Sequence, residues 1–364
     1  MRRIATAMLM AGAATAAAIT LGSAAPAQDG PPRPTLSPDG TVNVPAFQLP
    51  PSELMSKEAV DFLKLRAAMP MRPPSAEVPI AQMRAMQDRM MTPFIAMMRQ
   101  RYPVNVAEQS IAGVPVRVFT PKDKPVDNKR VLINLHGGAF SLCWDACSTL
   151  ESQPIASVGG FKVISVNYRM APEHKHPAGV EDAAAVYREL LKTYKPRQIG
   201  IYGCSAGGAL TGQAAAWFSA HKMPQPGAIG IFGAGAVRFG AGDSAYVVGN
   251  IENSFLPPPR AGEPPRPDMA RGYFDGVDMK DALVSPAFHP DVLAKFPPTL
   301  VITGTRAFDM SPAVYTNSQL LNAGARSTLV VAEGMGHCYI YFPQFPEAGD
   351  AYKVIVRHFQ QNLG

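Results

Sequence analysis

The sequence predicts an α/β fold, a mostly parallel central sheet with helices on both faces. Three observations carry this. Six short apolar runs rich in β-formers recur, at 131–135, 162–168, 199–202, 229–232, 299–303 and 328–332. Helical patterns at 149–157, 180–194, 207–221 and 313–322 separate most of them, and such alternation builds crossover units whose helices bury both faces of the sheet. Hydrophobic residues make up 47% of the 364-residue chain, ample for a sizeable core, and the length suits one large domain with a cap or two small domains.

The elements follow in order. Met1-Arg2-Arg3, an apolar alanine-rich run over 4–21 and the small-residue stretch Ser23-Ala24-Ala25-Pro26-Ala27 read as a secretory signal peptide over 1–27, with cleavage before Gln28. The apolar run is also barely long enough for an uncleaved membrane anchor. Cleavage implies a periplasmic or secreted protein with no stable membrane span. Residues 28–51, rich in Pro, Gly and Asp, read as an extended linker. Over 52–104 two helical patterns appear, one opening at Ser52 and one running through Ile80, Met83, Met90 and Phe94. Nine of the 18 methionines fall between Met55 and Met98. Such a surface could cover an adaptable acyl pocket or simply pack the helices onto the domain. From 105 to 364 the texture is that of the sheet, beginning with a hairpin around Gly113. A proline-rich excursion over 254–268 interrupts it.

Charge excludes one class of partner. The net charge is +6, and loss of residues 1–27 removes only Arg2 and Arg3. No dense basic stripe remains of the kind nucleic acid requires. Four cysteines, Cys143, Cys147, Cys204 and Cys338, are too few for a disulfide scaffold. Cys204 reads as a small buried hydrophobe, and Cys143 and Cys147 could bridge if the backbone between them bends. No CxxC pair occurs and the histidines are dispersed, so no metal site is expected.

The chemistry concentrates in three places. Gly203-Cys204-Ser205-Ala206-Gly207 is a GxSxG pentapeptide between a strand pattern and a small-residue helix, a turn that exposes Ser205 as a nucleophile. Upstream, the strand ending at Leu135 runs into His136-Gly137-Gly138-Ala139. Glycines there allow backbone N–H groups to approach a developing oxyanion, and Gly137, Gly138 and Ala206 are the expected donors. Downstream, His337 follows the last strand pattern and is the expected base. His358 lies inside the final helix and reads as a surface residue, and His174 and His176 read as structural. Asp309, after the 299–303 strand, completes the chain order Ser, Asp, His.

His136-Gly137-Gly138, Tyr168-Arg169-Met170-Ala171-Pro172-Glu173-His174, Gly203-Cys204-Ser205-Ala206-Gly207-Gly208 and the segments around Asp309 and His337 together resemble the hormone-sensitive-lipase family of α/β-hydrolases. The resemblance covers roughly 105–364. It implies an α/β-hydrolase fold with an N-terminal helical cap, cleavage of short- to medium-chain acyl esters, a small-molecule ester as partner, and no cofactor. The chain departs from the family pattern in three ways. Ala139 replaces a third glycine, Cys204 replaces an aspartate, and Asp309 lies two residues past the usual acid position, which Ala307 occupies. Glu333 is the nearest rival carboxylate by motif. The residues also leave open a binding protein on a hydrolase frame, and hydrolysis of lactones or amides.

Overall fold

The structure, a computed structural model, describes residues 33–68, 78–252 and 268–364, together with 257–259, 262–263 and 265–266. The expected signal peptide and part of the proline-rich excursion lie outside the described residues. The chain forms two compact units, 1–49 and 50–364. In the first, the described residues hold one short antiparallel pair, β1 (Thr35–Leu36) with β2 (Val42–Asn43).

The second unit opens with two helices, α1 (Lys57–Ala67) and α2 (Ile80–Arg101). The first starts four residues later than expected because Ser56, not Ser52, is the N-cap: its hydroxyl accepts from the Ala59 N–H. Then come β3 (Val104–Ile111), β4 (Val114–Pro121), β5 (Asp127–Leu135), α3 (Trp144–Gly159), β6 (Phe161–Val166), α4 (Ala178–Leu190), β7 (Ile199–Cys204), α5 (Ala206–Ala220) and β8 (Ala228–Phe232). The chain closes with α6 (Ser244–Glu252), α7 (Pro290–Leu293), β9 (Thr299–Gly304), α8 (Met310–Asn322), β10 (Ser327–Ala332) and α9 (Pro346–Asn362).

Eight strands form one sheet in the order β10-β9-β8-β7-β5-β6-β4-β3. From β10 to β6 all pairings are parallel, and β4 and β3 add antiparallel at the other end. Side chains alternate between faces with period two. On β5, Ile133 and Leu135 join the core shared with α4 and α5, while Leu132 joins the core shared with α3 and α9. Both faces are covered, which is why β7, β8, β9 and the second half of β5, from Val131 to Leu135, are buried at every position rather than alternating with exposed residues. Among the described residues no helix is long and apolar enough to cross a membrane.

Candidate active site

The chain leaves β5 toward β6 on one side and returns to β7 on the other. This reversal opens a crevice at the carboxyl ends of β5 and β7, where open α/β sheets bind ligands. His136 to Ala139 leaves the end of β5, and Ser205 stands between β7 and α5.

Ser205 is held at φ 57°, ψ −125°, outside the ordinary regions for an L-residue, and its N–H donates to the Phe232 carbonyl at 2.8 Å. The turn is tight because α5 starts directly against β5. A Cβ on Gly207 would lie 1.7 Å from the Leu135 carbonyl oxygen, so only glycine fits there. The Ser205 Oγ is 2.9 Å from His337 Nε2. His337 Nδ1 is 2.6 Å from Asp309 Oδ1, and the other oxygen of Asp309 accepts from the Thr303 hydroxyl at 2.6 Å. Asp309 is fully buried. The two-residue displacement of the acid is absorbed by the turn 304–308, which buries Ala307 and sets the Phe308 ring 4.7 Å from the imidazole. Glu333 is exposed. Asp309 therefore meets His337.

The donor set for an oxyanion needs a correction. Gly137 does not offer its N–H to a substrate, because that group donates to Glu151 Oε1 at 2.7 Å. Its glycine serves close packing instead: a Cβ would lie 2.4 Å from the Tyr341 hydroxyl and 2.9 Å from the Cys204 carbonyl. Among the described residues, the N–H groups of Gly138, Ala139 and Ala206 donate to no protein acceptor. His136 is fully buried and stacks on Tyr168, with Nδ1 2.7 Å from the Gly137 carbonyl. Burial lowers its pKa to about 4, so the ring is neutral at pH 7 and Nδ1 donates.

Glu151, on α3, belongs to no motif and was missed by sequence reasoning. Its carboxylate accepts from the Gly137 N–H, the Tyr341 hydroxyl at 2.6 Å, the Asn134 amide at 2.8 Å and the Cys204 N–H at 3.0 Å. One buried side chain thus ties the loop after β5 to the turn before Ser205. Burial pushes its pKa up to about 7 against the pull of four donors.

Two further expectations are corrected. Cys204 is not a free hydrophobe but is bonded to Cys338. His358 is not a surface residue: it is partly buried, its Nε2 lies 3.1 Å from the Ile229 carbonyl, and burial lowers its pKa to about 4. The bridge between Cys143 and Cys147 is present, with Cys143 in the left-handed conformation that supplies the required bend.

The helices of 52–104 pack around these loops. Arg84 on α2 donates to the Ser141 carbonyl at 2.8 Å and the Ala171 carbonyl at 3.0 Å, and grips Glu173 with two bonds of 2.8 Å. Met83 and Met98 are buried against the domain, whereas Met86 and Met90 face outward. Ordinary packing accounts for the buried pair.

Residues 132–341 match the model of the α/β hydrolase fold family. An acetyl-hydrolase of Streptomyces hygroscopicus is 30% identical over 227 residues, which cover 62% of this chain and 73% of that protein. Carboxylesterase NlhH of Mycobacterium tuberculosis is 36% identical over 115 residues, only 29% of this chain and 34% of that protein. The crystal structure of an esterase, E25, superposes with a TM-score of 0.75 at 28% identity, covering 88% of this chain and 99% of the other.

Proposed function

Since the chain belongs to the α/β-hydrolase fold family, in the hormone-sensitive-lipase branch that its motifs resemble, we propose that it is a carboxylesterase working through an acyl-enzyme on Ser205. The observation that carries this reading is the unbroken chain from Ser205 Oγ through His337 to Asp309, at 2.9 and 2.6 Å, in the switch-point crevice.

His337 Nε2 takes the hydroxyl proton as Ser205 Oγ attacks the ester carbonyl carbon. Asp309 holds Nδ1–H and so fixes the tautomer in which Nε2 is free to accept. The N–H groups of Gly138, Ala139 and Ala206 face the oxygen that becomes negative. The imidazolium then gives its proton to the departing alkoxide. A water, deprotonated by the same nitrogen, attacks the acyl-enzyme and releases the acid.

Short- to medium-chain acyl esters are the proposed substrates, and export to the periplasm or medium the proposed location. Support for export comes from the N-terminal pattern over 1–27 and from two disulfides, which persist in oxidising compartments. Ser205→Ala should lower turnover of chromogenic short-chain esters by about 10⁴-fold or more while leaving the circular dichroism spectrum unchanged. Retained turnover in that variant rules the reading out.

A further inference from the structure

Two cysteines flank the reacting side chains. Cys204 immediately precedes Ser205 and Cys338 immediately follows His337, and their sulfurs are joined across a separation of 134 residues. Building on the esterase reading, we propose that this disulfide is a positioning device that fixes the His337 loop against the nucleophile turn.

The topology sets the problem it answers. His337 follows β10, at one edge of the sheet, while Ser205 follows β7, with β9 and β8 lying between them. Three strand spacings amount to about 14 Å. The His337 loop must cross those strand ends and hold an imidazole within hydrogen-bond reach of the serine. The disulfide fastens the far end of that crossing to the residue beside the nucleophile. It closes a small ring: Ser205, Cys204, the two sulfurs, Cys338 and His337, completed by the 2.9 Å hydrogen bond between imidazole and hydroxyl.

Both segments also need holding. Ser205 and Cys338 have φ of 57° and 48°, a region that L-residues occupy only when the surroundings over-determine it. Released from its bond, Cys338 is free to relax to a commoner conformation and carry the adjoining His337 with it. Space for the bond is built into the end of β8. A Cβ on Gly233 would lie 2.7 Å from Cys338 Sγ, 3.0 Å from Cys204 Sγ and 3.3 Å from His337 Cε1. Disulfide and imidazole therefore share one niche, and both cysteines are buried, at 1% and 4% exposure. The Cys143–Cys147 bridge differs, because it joins residues four apart within one turn and couples no two elements.

The test compares the wild type with Cys204→Ala/Cys338→Ala on a chromogenic ester, well below the unfolding temperature. In the double variant kcat should fall about 10²-fold, the scale of a misplacement of about 1 Å, with KM changed by no more than about threefold. Labelling of Ser205 by a fluorophosphonate should slow in parallel, a readout that a purely stabilising crosslink would leave alone. A variant with native circular dichroism and kcat within about twofold of wild type overturns the proposal. Should the variant fail to fold, the wild-type enzyme is reduced with a phosphine, in urea below the unfolding transition. The phosphine transfers two electrons to the disulfide and leaves as its oxide with oxygen from water, and each sulfur gains a proton. Activity should fall in step with the Cys204 and Cys338 thiols counted by alkylation and mass spectrometry, and return on reoxidation. Full activity with both thiols free overturns it equally. An inert wild type instead refutes the esterase reading itself, and the inference goes with it.

Discussion

Asp309 acts on the reaction only through His337, and that makes its removal diagnostic. Asp309→Asn keeps the shape but presents an amide to Nδ1, favouring the wrong tautomer, so kcat should drop about 10⁴-fold with KM little altered, read in steady-state kinetics. Thr303→Val removes only the bond to the other carboxylate oxygen, and its loss should be much smaller. Glu151 is the second residue whose replacement is informative. Glu151→Gln swaps an acceptor of four hydrogen bonds for a group that must point its own N–H toward two donors. A buried donor left without an acceptor costs about 1–3 kcal/mol. The variant should therefore unfold at lower urea and show reduced kcat, because both the loop after β5 and the turn before Ser205 hang on that carboxylate. The acid was legible only in part: its place after a strand pointed to Asp309, and the contact with His337 set it above Glu333. Glu151 was not legible, because its partners are gathered from three places in the chain: Asn134 and Gly137 at the end of β5, Cys204, and Tyr341.

At the scale of elements, α2 is held to the crevice by Arg84, which bridges the loop after β5 at Ser141 and the segment after β6 at Ala171 and Glu173. Arg84→Ala removes all these bonds together. Limited proteolysis within 52–104 should become faster, and KM should rise more than kcat falls, because the loops around the crevice loosen while the triad stays in place. The helices α1 and α2 were visible as patterns, but their attachment was not. The start of α1 shifted because capping is a local contest, won by Ser56, whose hydroxyl reaches the Ala59 N–H. The parallel strands were the easiest elements to read, since burial on both faces leaves continuous apolar runs.

For the molecule as a whole, the pH dependence of stability is led by three titrating groups, His136 and Glu151, which are buried, and His358, which is partly buried. His136 and His358 have folded pKa values of about 4, below the unfolded value of 6.5. Their stabilising share is complete above pH 6.5 and is lost as pH falls toward 4, about 3 kcal/mol for each. Glu151 runs the other way. Its folded pKa of about 7 exceeds the unfolded 4.5, so it costs nothing below pH 4.5 and about 3 kcal/mol once pH has passed 7. The two histidines outweigh the one glutamate, and the urea midpoint should decline between pH 6.5 and 4. His358→Gln should flatten that decline measurably, while leaving the midpoint at pH 8 nearly unchanged.

By itself the sequence determined the fold class, the order of the strands along the chain and the identities of Ser205 and His337, and it pointed to Asp309 with Glu333 as a rival that only the structure set aside. These rest on local signals: apolar runs, a strand–turn–helix pentapeptide, and side chains at strand ends. The tertiary structure alone decided which cysteines pair, which N–H groups remain to meet an oxyanion, and what braces the turn at Ser205. Each of those depends on atoms brought within about 3 Å from distant positions. A strand pattern reports whether a segment is buried, but not which neighbour it is buried against. The Gly137 N–H shows the difference: its position beside the crevice was readable, and its engagement by Glu151 was settled only when α3 packed beneath β5 and β7.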